Sequence, residues 1–229
     1  TARKKLEYNT RPNVRKGVSV AMTNRPPKPA VFAADLPRES ETVVLAQNGE
    51  PAALDELARS CRQQAYVFAL QLIGNPDDAL DVAQDAMVRF FRSFERFDAT
   101  RPVRPWLLRI VRNLIRDRAR RNRIRRTESL EPSSDDVLRF EPKDENPDPE
   151  AMTVRHDLQR LVWNCLQELP PRYREVLVLR DYQDLAYAEI ASTLKIPRGT
   201  VMSRLHRARR LLHDLVHERQ HHPGEVRDD

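Results

Sequence analysis

The sequence lacks several features on which large classes of protein depend. Only five of its 229 residues are glycine, so a Gly-rich phosphate-binding loop is not expected. Its two cysteines, Cys61 and Cys165, lie far apart in no CxxC pattern, which favours buried thiols in a reducing compartment over a disulfide framework. No apolar run approaches the ~18 residues of a membrane span, and no secretory signal is evident. We therefore expect a cytoplasmic protein without membrane insertion.

Charge and helix-forming residues are abundant instead. Leucine, alanine, arginine and glutamate dominate the composition, and this mixture favours an all-α fold. Charged residues make up 32% of the chain, and the formal net charge is +6 with a pI near 9.6. Such a balance indicates a polyanionic partner, although a merely soluble basic protein would show it as well.

The charge is unevenly distributed along the chain. Residues 1–39 carry nine basic residues and five prolines, which is typical of a disordered arm. This arm is either a basic tether that adds DNA affinity or upstream sequence, because the chain starts at Thr1 and Met22 lies inside the arm. Residues 101–126 hold eleven arginines, whereas residues 128–150 hold nine acids and four prolines and predict an extended linker. The predicted segments are a disordered basic arm (1–39), a first helical domain (40–127), an acidic Pro-rich linker (128–151), a second helical domain (152–218) and a disordered tail (219–229).

An amphipathic helix is predicted to begin at Asn75-Pro76 in the first domain, because asparagine caps helices and proline fits their first turn. Its apolar side is expected to face the core with Leu80, Ala83, Met87, Phe90 and Phe94. Its opposite side carries Asp81, Gln84, Asp85 and Val88. A valine among acids on an outward face hints at a partner surface, but the pattern alone favours an ordinary solvated face.

A second helix of the first domain is predicted from Trp106 to about Arg121. Its apolar side consists of Leu107, Ile110, Val111 and Leu114. Four arginines line up on the other side, at Arg109, Arg112, Arg116 and Arg120. Like charges at these spacings repel each other by about 0.2–0.5 kcal/mol per pair. A phosphate backbone would neutralise such a stripe, so the pattern favours nucleic-acid binding over a solvated face.

The second domain has the pattern of a helix-turn-helix. One amphipathic helix is predicted from the apolar residues Leu158, Leu161, Val162, Cys165 and Leu166. Further along, Pro197 and Gly199 are expected to end one helix, and Thr200 to cap the next. That last helix buries Val201, Leu205, Ala208, Leu212 and Leu215. Its outer arc holds Ser203, His206, Arg207 and Arg210, with Thr200 and Arg204 beside it. A helix of this kind enters the DNA major groove.

We find no catalytic site in the sequence. There is no nucleophile–base pair, and an enzyme is therefore not expected. His213, His217 and His221 share a helix face, but no acid or cysteine completes a convincing set of metal ligands, so neither a metal nor another cofactor is predicted.

Several short motifs, in a specific order and spacing, resemble one protein family. They are LDVAQD at 80–85, Trp106-Leu107 with Ile110, Asn113 and Asp117, Leu169-Pro170 followed by YREV at 173–176, AEIA at 188–191, and GTVMSRLHRAR at 199–209. Together they resemble the bacterial sigma factors of the extracytoplasmic-function (ECF) group, over most of residues 50–215. Leu80 departs from the pattern, because the family often has glutamate there.

The resemblance implies an all-α chain with a sigma-2-like domain and a C-terminal sigma-4-like helix-turn-helix domain. Such a protein directs transcription initiation at specific promoters. Asp81, Gln84, Asp85 and Val88 would dock on the clamp helices of the largest subunits of core RNA polymerase. The loop at 95–104 would hold a flipped-out base of the melted −10 element. An anti-sigma protein is an expected further partner.

The resemblance also implies two sets of DNA-binding residues. The set for the −10 element is Phe97, Asp98, Arg101, Trp106, Arg109, Arg112, Asn113, Arg116 and Arg120. The set for the −35 element is Arg198, Thr200, Ser203, Arg204, His206, Arg207 and Arg210. The alternative is a stand-alone helix-turn-helix regulator, which would leave the helices at 77–120 without a function.

Overall fold

The computed structural model describes residues 36–128 and 149–221, and within them the chain forms helices and no strands. The helices are α1 (Leu36–Gln47), α2 (Pro51–Ile73), α3 (Pro76–Phe94), α4 (Val103–Glu128), α5 (Pro149–Glu168), α6 (Pro171–Leu177), α7 (Tyr187–Leu194) and α8 (Arg198–His221). A π-helical turn, Val178–Tyr182, follows α6 directly. The all-α prediction is confirmed.

Helices extend beyond several predicted segment boundaries. α1 begins at Leu36, inside the predicted arm, and α8 continues to His221, inside the predicted tail. α5 begins at Pro149, near the end of the predicted linker. The rest of the arm, linker and tail (1–35, 129–148 and 222–229) lies outside the described residues.

The turn between α2 and α3 has the geometry that its residues predict. Gly74 ends α2 in the left-handed conformation with φ 83°, which glycine adopts without steric cost. The Asn75 side chain accepts hydrogen bonds from the backbone N–H of Asp77 at 2.9 Å and of Asp78 at 3.0 Å. Those two acids also lie at the positive end of the helix dipole.

One residue that was predicted to face the core is exposed in the structure. Leu80 is 47% exposed, so that prediction was wrong, and Leu158 of the predicted amphipathic helix is 42% exposed. The buried residues of α3 are Ala79, Val82, Ala83, Ala86, Phe90 and Phe94, so Ala83, Phe90 and Phe94 are buried as predicted. In the first turns of the helix, Ala79 and Val82 occupy the core side instead of Leu80, which lies outward beside Asp81.

The turn before α8 differs from the prediction. Lys195, with φ 55°, ends α7 in the left-handed conformation, and its N–H donates to the Ala191 carbonyl. α8 then begins at Arg198, because the Val201 N–H already donates to the Pro197 carbonyl at 3.1 Å. Gly199 and Thr200 therefore lie inside the first turn of α8, so neither the glycine break nor the threonine cap is correct.

The two helical domains contact each other through buried polar groups. The Gln183 side chain, 1% exposed, donates to Gln71 Oε1 at 2.8 Å and accepts from Arg104 Nη2 at 2.9 Å. Arg174 Nη1 donates to the Leu72 carbonyl at 2.7 Å, and Gln167 Nε2 to the Gln71 carbonyl at 3.2 Å. The carbonyls at the end of α2 have no partner within their own helix, so α5 and α6 supply donors to them.

Candidate nucleic-acid interface

The outward face of α8 is open and basic. Ser203, His206, Arg207 and Arg210 are exposed, Arg198 is exposed at the start of the helix, and Thr200 and Arg204 are half-buried beside them. A cavity of about 700 Å³ runs along this face and is lined by Ser203, Arg204, His206, Arg207 and Arg210 together with Tyr173, Leu211 and Asp214. Five of the seven predicted −35 residues therefore share one accessible surface.

Arg209, a further arginine in the first half of α8, points inward. Its Nε lies 3.1 Å from Asp181 Oδ2 and its Nη2 lies 2.5 Å from Asp181 Oδ1. These hydrogen bonds raise the pKa of the Arg209 guanidinium. The pair ties α8 to the π-helical turn, whereas Arg210, 3.9 Å from Asp214 Oδ2, remains largely exposed. Arg209 is thus a structural residue and its neighbours are available to DNA.

The arginine face of α4 is divided. Arg116 and Arg120 are exposed, as is Asn113, and Arg109 is half-buried. Arg112 is only 7% exposed, with Nη2 3.4 Å and Nε 3.3 Å from Glu175 Oε2 of α6. The prediction that Arg112 shares the exposed arginine stripe is therefore wrong, because the second domain covers this part of α4.

The loop at 95–102 places polar groups next to an aromatic stack whose two rings are half-buried against the core. The Phe97 ring stacks on Trp106 with centroids 4.4 Å apart and planes at 18°. Asp98 Oδ1 accepts from the Thr100 hydroxyl at 2.6 Å and from its N–H at 3.1 Å, and these bonds lower the pKa of Asp98. Arg101 lies 3.1 Å from Asp98 and is exposed. Aromatic faces beside hydrogen-bonding groups can hold an unstacked base.

Three residues of α3 lie beside the aromatic stack, although they were not among the DNA-binding residues predicted from the sequence. Arg89, Arg92 and Ser93 line a groove of about 320 Å³ together with Trp106, Ile110 and Asn113 of α4. Their spacing of three and four residues places them on one helix face, and this spacing could have indicated them from the sequence. The groove joins the end of α3 to the aromatic stack, and its two arginines suit a phosphate backbone.

The predicted partner face of α3 is exposed. Asp81, Gln84 and Asp85 are accessible, and Val88 is 50% exposed. Leu80 and Phe91 extend the apolar part of this face. Arg118 of α4 lies 2.5 Å from Asp78 Oδ1 and 3.6 Å from Asp81 Oδ2. Exposed apolar groups among acids on one helix face are suited to a protein partner.

Comparison with known protein families supports this arrangement. The model of sigma-70 region 2 matches residues 57–125, and that of sigma-70 region 4 matches residues 159–212. The ECF RNA polymerase sigma factor SigW of Bacillus subtilis is 31% identical over 178 residues, 72% of this chain and 90% of SigW. The chain belongs to the ECF sigma factors. SigE of Mycolicibacterium smegmatis is also similar, with 37% identity over 76% of this chain and 67% of SigE.

Solved structures show the same fold. The sigma factor RpoE of Bartonella quintana, in complex with the anti-sigma factor NepR, matches with a TM-score of 0.62 at 21% identity, over 72% of this chain and 96% of RpoE. CnrH, in complex with the cytosolic domain of CnrY, matches with a TM-score of 0.52 at 23% identity, over 78% of this chain and 97% of CnrH.

Membership of this family establishes the kind of activity. A sigma factor is a DNA-recognition subunit of RNA polymerase that directs initiation to promoters, and it is not an enzyme. The matched region 2 contains the predicted partner face of α3 and the exposed arginines of α4, and the matched region 4 contains the outward face of α8. Across residues 36–128 and 149–221, no helix is long and apolar enough to cross a membrane.

Proposed function

We propose that the three exposed surfaces divide the work of promoter recognition. The α3 face with Asp81, Gln84, Asp85 and Val88 docks on the clamp of core RNA polymerase. The 95–102 loop and the exposed side of α4 bind the melted −10 element. The outward face of α8 reads the −35 element as duplex DNA. The observation that carries the proposal is that two separate basic surfaces and one acidic, partly apolar surface are exposed on the same chain.

The −10 surface combines two kinds of contact. The Phe97–Trp106 stack offers a platform for an extruded base. The strand backbone then runs along the groove with Arg89 and Arg92 and along Arg116 and Arg120 of α4. These arginines carry positive charge without reading sequence, whereas the loop supplies the sequence-dependent part.

The −35 surface is suited to the major groove. Ser203, His206 and Arg207 lie near the N-terminal half of α8, where a recognition helix contacts base edges. Arginine pairs bidentately with guanine, and serine bonds either a base or a phosphate. Arg198 and Arg210 flank this set and suit phosphate contacts.

Two further statements rest on the relatives. RpoE and CnrH are each solved with a second protein, and RpoE's partner is an anti-sigma factor. We infer that an anti-sigma protein binds this chain as well. We also infer that it acts in the cytoplasm, because the polymerase and the chromosome are located there.

Run-off transcription tests the proposed function directly. Core polymerase and the purified chain are combined on a promoter identified by mapping the RNA 5′ ends that appear on overexpression. We expect transcripts only when the chain is present. Tight operator binding without polymerase, and no effect on transcription, would instead support a stand-alone regulator.

The docking face is tested by charge reversal. Asp81→Lys with Asp85→Lys should weaken binding to core polymerase while the fold stays intact, as measured by core-binding affinity and thermal melting. The matched control is Asp55→Lys with Glu56→Lys on the exposed side of α2, which makes the same change in charge. Equal affinities of the two double variants would refute the docking face.

A further inference from the structure

The last residue of α1 reaches across the first domain to the loop that precedes α4. Gln47 Nε2 donates to the Phe94 carbonyl at 3.0 Å and to the Phe97 carbonyl at 2.8 Å. Phe94 is the last residue of α3, and Phe97 lies within the 95–102 loop. Carbonyls in the last turn of a helix need partners from outside the helical ladder. The Phe94 carbonyl also accepts from the Phe97 N–H at 3.0 Å. The Gln47 amide therefore adds to this turn and ties both the end of α3 and the beginning of the loop to α1.

Gln47 is itself firmly positioned. Val43 and Ala46 of α1 are 1% and 3% exposed and pack into the core. The helix ends in a Schellman motif, in which Gly49 has φ 84° and its N–H donates to the Ala46 carbonyl at 3.1 Å. The Glu50 N–H completes the motif with the Leu45 carbonyl at 3.0 Å. The position of the Gln47 amide is thus fixed by the body of the domain.

The loop that Gln47 holds carries three of the residues proposed to bind the −10 element, Phe97, Asp98 and Arg101. The Phe97 carbonyl receives the bond from Gln47, while the Phe97 ring stacks on Trp106. Asp98 comes next and forms the turn with Thr100. The bond to the Phe97 carbonyl therefore anchors the backbone at the point where this turn begins.

We propose that Gln47 is a positioning residue for −10 recognition, and that α1 is part of the DNA-binding apparatus although it makes no DNA contact itself. The match to sigma-70 region 2 begins at residue 57, so it assigns no role to α1. This inference rests on the proposed function of the 95–102 loop. In this inference, Gln47 holds the loop in its base-binding conformation before DNA binds.

Three substitutions of Gln47 separate hydrogen bonding from bulk. Gln47→Ala removes both donors. Gln47→Glu keeps the shape but turns a negative carboxylate towards two carbonyls at the negative end of the α3 dipole. Gln47→Lys keeps a donor and adds a charge that this helix end favours. We expect the affinity for a −10 strand to be highest for the wild type and Gln47→Lys, lower for Gln47→Ala and lowest for Gln47→Glu.

The measurement uses reconstituted holoenzyme and a fluorescent single-stranded oligonucleotide with the non-template −10 sequence of the mapped promoter. We expect Gln47→Ala to weaken binding roughly three- to tenfold, the loss that one or two hydrogen bonds produce. Binding of −35 duplex DNA and of core polymerase should be unchanged in all three variants. The matched control is Gln64→Ala, because Gln64 Nε2 bonds Ser60 Oγ one turn earlier on its own helix at 3.0 Å.

The outcomes are distinguishable. Wild-type affinity of the Ala and Glu variants for the −10 strand would overturn the inference. Equal losses for the −10 strand, the −35 duplex and the core polymerase would also overturn it, because they would indicate a general loss of structure. If the wild-type holoenzyme does not bind the −10 strand, the proposed function of the loop fails, and the inference fails with it.

Discussion

Helices α4 and α8 are both long and rich in arginine, yet they use their arginines differently. On α8, one arginine of the recognition stretch, Arg209, points inward to Asp181, and Arg207 and Arg210 point outward. On α4, Arg112 lies buried beside Glu175, and Arg118 lies beside Asp78. An arginine stripe in a sequence is therefore not by itself a DNA-binding surface.

The difference arises from what covers each helix. The apolar side of α8 packs within its own domain, so the opposite side stays free. α4 is packed on its apolar side by α2 and α3, and the second domain then covers part of its polar side. Charge repulsion along α4 is relieved at Arg112 by the carboxylate of Glu175 and, in the proposed function, at Arg116 by a DNA phosphate. Arg120 lies 3.8 Å from Asp117 Oδ1 and stays largely exposed.

The largest expected effect is on folding stability at Arg112. Arg112→Ala leaves the carboxylate of Glu175 without its cation in a poorly solvated position, and we expect a loss of about 3 kcal/mol in the free energy of unfolding. Arg210→Ala on α8 is the matched control and should change it by no more than about 0.5 kcal/mol, because its side chain is exposed. Urea denaturation measures both values. Equal free energies of unfolding for the two variants would contradict the claim that Arg112 is a buried structural arginine and Arg210 an exposed one.

A smaller effect is expected on DNA binding at Arg207. If this side chain contacts a base edge, Arg207→Ala should weaken holoenzyme binding to the cognate −35 element by about 2 kcal/mol and leave binding to scrambled −35 duplex nearly unchanged. The measurement is the affinity of wild-type and variant holoenzyme for the cognate and the scrambled duplex, obtained by titration. A loss of the same size on both would show that Arg207 binds phosphate instead.

The smallest effect is expected at Arg209, the inward arginine of α8. Its pair with Asp181 is partly exposed, so Arg209→Ala should lower the free energy of unfolding by about 1 kcal/mol. The preference for the −35 sequence should not change, because this side chain points away from the outward face. A changed preference, measured with the same two duplexes, would place Arg209 on the DNA-binding surface.

Much of the local structure could be predicted from the sequence. Asn75 marks a helix start through its side-chain chemistry and caps α3 as predicted. Gly74 ends α2 through its backbone freedom. The spacing of Val201, Leu205 and Ala208 identified the buried side of α8, because this side packs within one small domain. The outward residues of that helix followed from the same pattern.

The mistaken helix start at Thr200 is a local error, whereas the other errors fall where distant parts of the chain meet. Leu80 has an apolar side chain, but Ala79 and Val82 occupy the core side of α3 beside it, and Leu80 is left exposed. Arg112 has the right spacing for the exposed stripe, yet a residue from the second domain occupies the space beside it. The bonds of Gln47 span 47 and 50 residues, and no local periodicity could indicate them.

The division between inward and outward arginines is tested most directly by the salt dependence of promoter binding. Holoenzymes with Arg112→Ala and with Arg116→Ala are titrated with promoter DNA over a range of salt concentrations. We expect Arg116→Ala to reduce the slope of log K against log salt by about one, and Arg112→Ala to leave the slope at its wild-type value. A reduced slope for Arg112→Ala with an unchanged slope for Arg116→Ala would contradict the account.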